Sequence, residues 1–181
     1  EQNKIPGMTT DQGFKKFHPA AQGGHTEISL AVEDYLSEDG KKQDTIKKIY
    51  GVISEWDVSN IENMSGLFKD KTKFTGQGDM DISQWDVSRV KVMSYMFSGA
   101  TSFKGDISGW TINTNDEVNM SQMFSGATSF NVDISQWDVS RVTNMSNMFE
   151  NATSFNGDIS RWTINTSNDV NMYKMFSGAT S

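Results

Sequence analysis

The chain has no cysteine, two prolines and two histidines among its 181 residues. Zero cysteine excludes a disulfide framework, a thiol nucleophile and cysteine-ligated zinc, and it leaves the compartment open. No stretch approaches the roughly 18 apolar residues that a membrane helix needs, so membrane insertion is not expected. Basic residues are scarce: 16 Lys and Arg stand against 23 Asp and Glu, for a formal charge of −7. That balance disfavours non-specific binding to nucleic acid or to an acidic membrane surface. Hydrophobic residues make up only 35%, yet 11% of the chain is aromatic, and a disordered chain of this polarity would lack those rings. Both histidines, His18 and His25, sit in an irregular N-terminal stretch near Asp11, Glu27 and Glu33. They read as solvated side chains, because a metal site needs ligands converging in fixed geometry. The rest of the chain offers no histidine as base for a serine nucleophile, no Walker loop and no dinucleotide fingerprint. No catalytic residue and no cofactor is expected.

What the chain has is repetition. The five tryptophans fall at 56, 85, 110, 137 and 162, in steps of 29, 25, 27 and 25. One frame surrounds each of them, and in the unit of Trp137 it reads Asp-Ile-Ser-Gln-Trp-Asp-Val-Ser, then Met-x-x-Met-Phe, then Ala-Thr-Ser-Phe, while the units of Trp110 and Trp162 read Trp-Thr-Ile-Asn-Thr. The longer steps come from insertions, of four residues in the segment Phe74 to Ile82 and of two before Met120 and Met172. Trp85 to Trp137 and Trp110 to Trp162 are both 52 residues, so two types of unit alternate.

Within each unit, Met64, Leu67 and Phe68 recur as Met93, Met96, Phe97, as Met120, Met123, Phe124, as Met145, Met148, Phe149 and as Met172, Met175, Phe176. Positions i, i+3 and i+4 share a helix face, which predicts one short helical turn per unit. Ser59, Ser88 and Ser140, or Asp116 and Asp169 in the longer units, stand where an N-cap is wanted. A short strand is predicted over about Asp133 to Val139, with Trp137 and Val139 on one face and Gln136 and Asp138 on the other. Ile134 has the wrong parity for the tryptophan face, so a bend is expected between them. The tryptophan and methionine columns read as core, and Ala127, between Phe124 and Phe130, as a buried small residue. The expected architecture is an α/β solenoid: a leucine-rich-repeat-like right-handed coil stack, with one short strand and one short helix in each repeat of about 25 residues.

The ends complete the division of the chain. Residues 1–25 form an irregular arm and residues 26–50 a helical N-terminal cap. Thr26 is placed as helix N-cap, Ile28, Ala31, Val32, Tyr35 and Leu36 as the apolar stripe, and Gly40 as the helix end. Five coils follow over 51–181, the last truncated and without a polar cap. Its Trp162, Ile164, Met172, Met175 and Phe176 are expected to leave apolar surface open, which invites end-to-end self-association.

These residues carry a family resemblance. The Trp-Asp-Val-Ser and Met-x-x-Met-Phe units, with Leu30-Ala31-Val32-x-x-Tyr35-Leu36 and Tyr50-Gly51-Val52-Ile53-Ser54-Glu55-Trp56 ahead of them, resemble the BspA-like leucine-rich-repeat surface proteins and their DUF285-type repeats. The resemblance spans about residues 28–181. It implies a secreted or cell-surface protein used for adhesion or interaction, and it supplies no catalytic residues. A lipobox cysteine and a cell-wall sorting segment, present in many bacterial members, do not occur here.

Candidate site residues follow from the outward face of the predicted strand. Gln84, Asp86, Thr111, Gln136, Asp138, Arg161 and Thr163 flank successive tryptophans and are suited to hydrogen bonding an extended protein or glycan ligand. Asp81, Asp106, Asp133 and Asp158 form a column before the strand isoleucine. Hydrogen bonding to local turns is the first expectation for that column, and a calcium site the second. The function expected is a non-enzymatic extracellular module for adhesion or protein/glycan binding. The alternatives are a passive spacer or an accessory domain of a larger surface protein.

Overall fold

The computed structural model describes residues 27–165 and 169–181. The arm over 1–25, its two histidines and the capping role of Thr26 lie outside those residues. The described residues carry two α-helices, α1 (Glu27–Tyr35) and α2 (Gly40–Tyr50), two single turns of 3-10 helix, and two short strands, β1 (Val118–Asn119) and β2 (Val142–Asn144). The cap is therefore a helical hairpin, not one helix closed by Gly40. Asp39 is the stronger stop-and-start signal: its carboxylate accepts from the backbone N–H of Lys41 at 2.9 Å and opens α2. The terminating glycine is Gly51, at φ 75°, whose N–H donates to Lys47 O at 3.0 Å. α1 buries Ile28, Ala31, Val32 and Tyr35, and α2 buries Ile46 and Tyr50. The Tyr50 hydroxyl ties the two helices together by donating to Glu27.

The Met-x-x-Met-Phe segments are not helical. Each is a run of β-turns in which alternate N–H groups have different destinations. In the second coil, Met96, Ser98 and Ala100 donate back to Met93, Tyr95 and Phe97, closing turns at 3.0–3.2 Å. The intervening N–H groups of Met93, Tyr95, Phe97 and Gly99 donate instead to Asn119, Ser121, Met123 and Ser125 of the following coil, at 2.8–3.0 Å. The same alternation runs through the coils starting at Met64, Met120 and Met145. Helix and turn-run both bring positions i, i+3 and i+4 together, so apolar spacing alone does not separate them. Two left-handed residues in each coil decide the matter, because a left-handed residue breaks a right-handed helix. In the second coil they are Tyr95 (φ 59°) and Gly99 (φ 68°).

The expected strand over Asp133–Val139 carries no ladder. Trp137 N–H donates to Ile134 O at 3.1 Å, which is the bend that the parity of Ile134 implied. The parallel ladder lies further on, where β1 pairs with β2 in the register Val118↔Val142 and Asn119↔Asn144. Single bridges Asn63↔Val92, Val92↔Asn119 and Asn144↔Asn171 extend it across all five coils. Asparagines stop it from lengthening, since the side chains of Asn63, Asn119, Asn144 and Asn171 accept from the N–H two residues on and start the next turn.

Aromatic columns fill the interior. Phe68, Phe97, Phe124, Phe149 and Phe176 stack ring on ring at 5.4–5.7 Å. Phe74, Phe103, Phe130 and Phe155 form a second column at 5.7–5.9 Å. Within a coil the two columns touch, with centroids 3.8–4.0 Å apart. All five tryptophans are buried. The indole N–H of Trp85, Trp110, Trp137 and Trp162 donates to the carbonyl of Ile53, Ile82, Ile107 and Ile134 in the preceding coil, at 2.9–3.1 Å. Tyr35 and Tyr50 of the cap pack against Trp56 and continue that column. Ala100, Ala127 and Ala152 are fully buried. Lys71, at the position equivalent to Ala100, reaches back to Glu33 of α1 at 2.6 Å and couples cap to first coil. Gly76 (φ 70°) and Gly105 pass so closely that a Cβ on Gly76 would lie 2.9 Å from Gly105 Cα.

Candidate functional site

The segment around each tryptophan folds locally under control of its aspartates. A carboxylate two residues before a serine accepts that serine's N–H and fixes an Asx turn. Asp86, Asp106, Asp133, Asp138 and Asp158 do this with Ser88, Ser108, Ser135, Ser140 and Ser160, at 2.8–3.0 Å. The serine hydroxyl adds a second donor at Asp86 and Asp106, at 2.6 and 2.7 Å. Donors aimed at the charged form hold the carboxyls of Asp106 and Asp138 below their ordinary range, chiefly through the Ser108 and Ser140 hydroxyls. The backbone N–H groups of Ser135 and Ser160 do the same for Asp133 and Asp158.

This geometry gives the aspartate column a definite use. Asp81, Asp106, Asp133 and Asp158 spend their Oδ1 atoms on the N–H of Ser83, Ser108, Ser135 and Ser160. Among the described residues, no three His, Asp or Glu side chains converge as a metal-holding group. Each carboxylate of the column thus holds a turn of its own coil.

The tryptophan-flanking residues are brought together in part. Gln136 and Asp138 of one coil and Arg161 and Thr163 of the next line a single open groove of about 410 Å³, with Ser135, Trp137 and Ser140. All four of those candidate side chains are exposed, while Trp137 and Val139 between them are buried. The alternation that separates inside from outside here is the one that the sequence implied. Gln136 Nε2 donates to Ser135 Oγ at 2.9 Å, and Asp138 is held by its turn, so both point from fixed backbone. The Arg161 guanidinium lies close enough to Asp133 and Asp158 to lower both carboxyls. Gln84, Asp86 and Thr111 are exposed at equivalent positions in earlier coils but do not line this groove. The groove therefore offers a carboxylate, a guanidinium, a primary amide and hydroxyls within two adjacent coils. That set can bind and orient polar groups.

Two features were not anticipated from sequence. One is the tryptophan N–H staple between coils, for which no residue pattern exists because its acceptor is a backbone carbonyl. The other is the pair of left-handed positions in each coil. Their signal was present at Gly99, Gly126 and Gly178, each two residues after a phenylalanine, since glycine is the residue that takes positive φ without cost.

The family model described as "Mycoplasma protein of unknown function, DUF285" matches residues 41–114 and again 79–181. No curated protein and no solved structure matches the chain. The two matched stretches overlap and together take in nearly all of α2 and every coil from 51 to 181, which is the part of the molecule built on the tryptophan, methionine and phenylalanine columns. The chain belongs to the DUF285 family.

Proposed function

We propose that this chain is a non-enzymatic recognition module, secreted or held at a cell surface, that binds a protein or glycan through the face flanking its tryptophans. In this reading the coils make a right-handed solenoid of the BspA-like, leucine-rich-repeat kind, and the helical hairpin covers its first coil. The groove over Gln136, Asp138, Arg161 and Thr163 carries the proposal, because it joins opposite charges, an amide and a hydroxyl on a backbone fixed by turns. Such preorganised polar groups lose little side-chain freedom when a ligand binds. A rigid floor of buried tryptophan supports the same reading.

The test is a binding screen on a glycan array and on immobilised fibronectin, laminin and collagen. Any ligand found is then titrated against Asp138→Asn and Arg161→Ala. At least tenfold weaker binding by either variant is expected, with the fold retained as judged by circular dichroism. Retention of full affinity by both would remove the groove as the site. Failure to bind every probe would favour a passive spacer. Turnover of glycosidase, protease or esterase substrates, abolished by one coil substitution, would overturn the non-enzymatic reading.

A further inference from the structure

Each coil places two residues in the left-handed region, four apart, and the two columns are filled by different rules. The downstream column is Asp70, Gly99, Gly126, Asn151 and Gly178, at φ 56–73°. These are the residue types that tolerate positive φ. The upstream column is Gly66, Tyr95, Gln122, Asn147 and Lys174, at φ 51–63°. The backbone demand is the same in both columns, yet the upstream one holds a tyrosine, a glutamine and a lysine. Glycine would meet the backbone demand at those positions, as Gly66 shows. Strained positions that keep costly side chains are a sign of use beyond the fold.

The upstream side chains form a continuous ridge. Tyr95, Gln122 and Asn147 are half-buried and Lys174 is exposed. Gln122 Nε2 donates to the Tyr95 hydroxyl at 2.7 Å, and Lys69 Nζ lies 5.2 Å from the Tyr95 ring centre. Further along, Asn147 Nδ2 donates to Glu150 Oε2 at 2.8 Å, and Lys174 Nζ lies 5.3 Å from the ring of Tyr173, which is 64% exposed. The ammonium groups thus lie over rings and the carboxylate accepts from an amide. What the ridge presents outward is aromatic surface, a phenol hydroxyl and amide groups, with two ammonium groups and one carboxylate beside them.

We propose that this ridge is a second binding surface, separate from the groove, and that its ligand is an extended neutral polysaccharide. A peptide added as a strand is disfavoured, because the backbone donors are already used: Tyr95, Gln122 and Asn147 donate to Ser121, Ser146 and Tyr173 of the next coil. An extended peptide also advances about 6.6 Å per residue pair. The coils are joined by a parallel backbone ladder, whose step is about 4.8 Å, so a peptide would fall out of step along the ridge. A chain of pyranose rings offers hydroxyls for the amides and an apolar C–H face for the tyrosines at every unit.

The test is calorimetric titration of the whole chain with cellohexaose, laminarihexaose and xylohexaose, beside a heparin hexasaccharide. Binding of at least one neutral hexasaccharide is expected. In the double variant Tyr95→Gly/Gln122→Gly that affinity should fall at least tenfold while the melting temperature stays level or rises, since glycine relieves the left-handed strain. Tyr95→Asn/Gln122→Asn should show the same loss on a residue type that tolerates the conformation. Asp138→Asn and Arg161→Ala should leave this binding unchanged, which separates failure of the ridge from failure of the groove. Absence of neutral hexasaccharide binding overturns the proposal. Preference for heparin alone, affinity that survives both ridge variants, or a lower melting temperature in both also overturns it.

Discussion

The fourth and fifth coils repeat the same Met-x-x-Met-Phe frame in different surroundings. Met145 and Phe149 are fully buried, whereas their equivalents Met172 and Phe176 are 47% and 43% exposed. Met148 and Met175 differ far less, and Trp162 is buried like the tryptophans before it. The comparison divides the core into two kinds of contact. Met175 and Trp162 are covered by the preceding coil, with Trp162 stapled to Ile134 O at 2.9 Å. Met172 and Phe176 depend on a following layer, as Met145 and Phe149 do on residues 171–177. The expectation that all of Trp162, Ile164, Met172, Met175 and Phe176 would open to solvent therefore holds for some and fails for Trp162 and Met175. Burial in this molecule is a property of the neighbour as much as of the residue.

The largest effect should come from deleting the same ring in the two settings. Phe124→Ala removes a ring stacked between Phe97 and Phe149 and should cost about 3–5 kcal/mol. Phe176→Ala, stacked on Phe149 and otherwise exposed, should cost less than about half of that. Urea unfolding of both variants gives the difference, and equal losses would break the comparison. Hydrogen exchange by coil should show the same order, with protection falling toward residue 181.

Overpacking should follow. Ala127 is fully buried between Phe124 and Phe130, so Ala127→Leu should cost about 1–3 kcal/mol. Ala179→Leu, at the equivalent but half-exposed position, should be close to neutral. An unchanged melting temperature for Ala127→Leu would contradict the inside/outside assignment of the coil.

Acid should destabilise the coils next. Asp106, Asp133, Asp138 and Asp158 have carboxyls lowered by their serine donors. A lowered folded-state pKa contributes stability above the unfolded value, near pH 4, and that contribution is lost as pH falls through the folded value. The melting temperature should therefore drop between about pH 5 and pH 3. Asp106→Asn/Asp138→Asn, which keeps an oxygen acceptor without the charge, should flatten that drop.

The smallest effect belongs to the junction between cap and coils. Lys71→Ala removes the ion pair with Glu33, which is well exposed, and should cost no more than about 1 kcal/mol. A larger loss would mean that the cap is held by this lysine rather than by Tyr35 and Tyr50 against Trp56.

Much of the fold was legible because a repeated pattern reports the same environment several times. The buried columns of Trp, Met, Phe and Ala, the outward Gln136 and Asp138, and the bend before Trp137 all follow from period and side-chain size. A helical turn and two linked β-turns give the same apolar spacing, so the spacing predicts a helix where each coil has a run of turns. Alternation around Trp137 marks burial, while pairing depends on where neighbouring backbones run parallel, so the ladder lies beyond the strand that the alternation predicts. At the cap, Gly40 predicts a stop, whereas Asp39 before it makes the hydrogen bond that starts α2.

The sequence by itself determined the number of coils, their two alternating types and which side chains turn inward, because these depend on composition and period within one unit. It also determined the Asx turns, since Asp and Ser two apart interact locally. Only the tertiary structure decided where each N–H goes, because every second donor of the turn runs finds its acceptor 24–28 residues away. It alone decided that Gln136 and Asp138 share a groove with Arg161 and Thr163, and that Tyr95, Gln122 and Asn147 stand in a row. Those neighbours meet across coils, at a separation set by stacked phenylalanine rings and not by any local pattern in the chain.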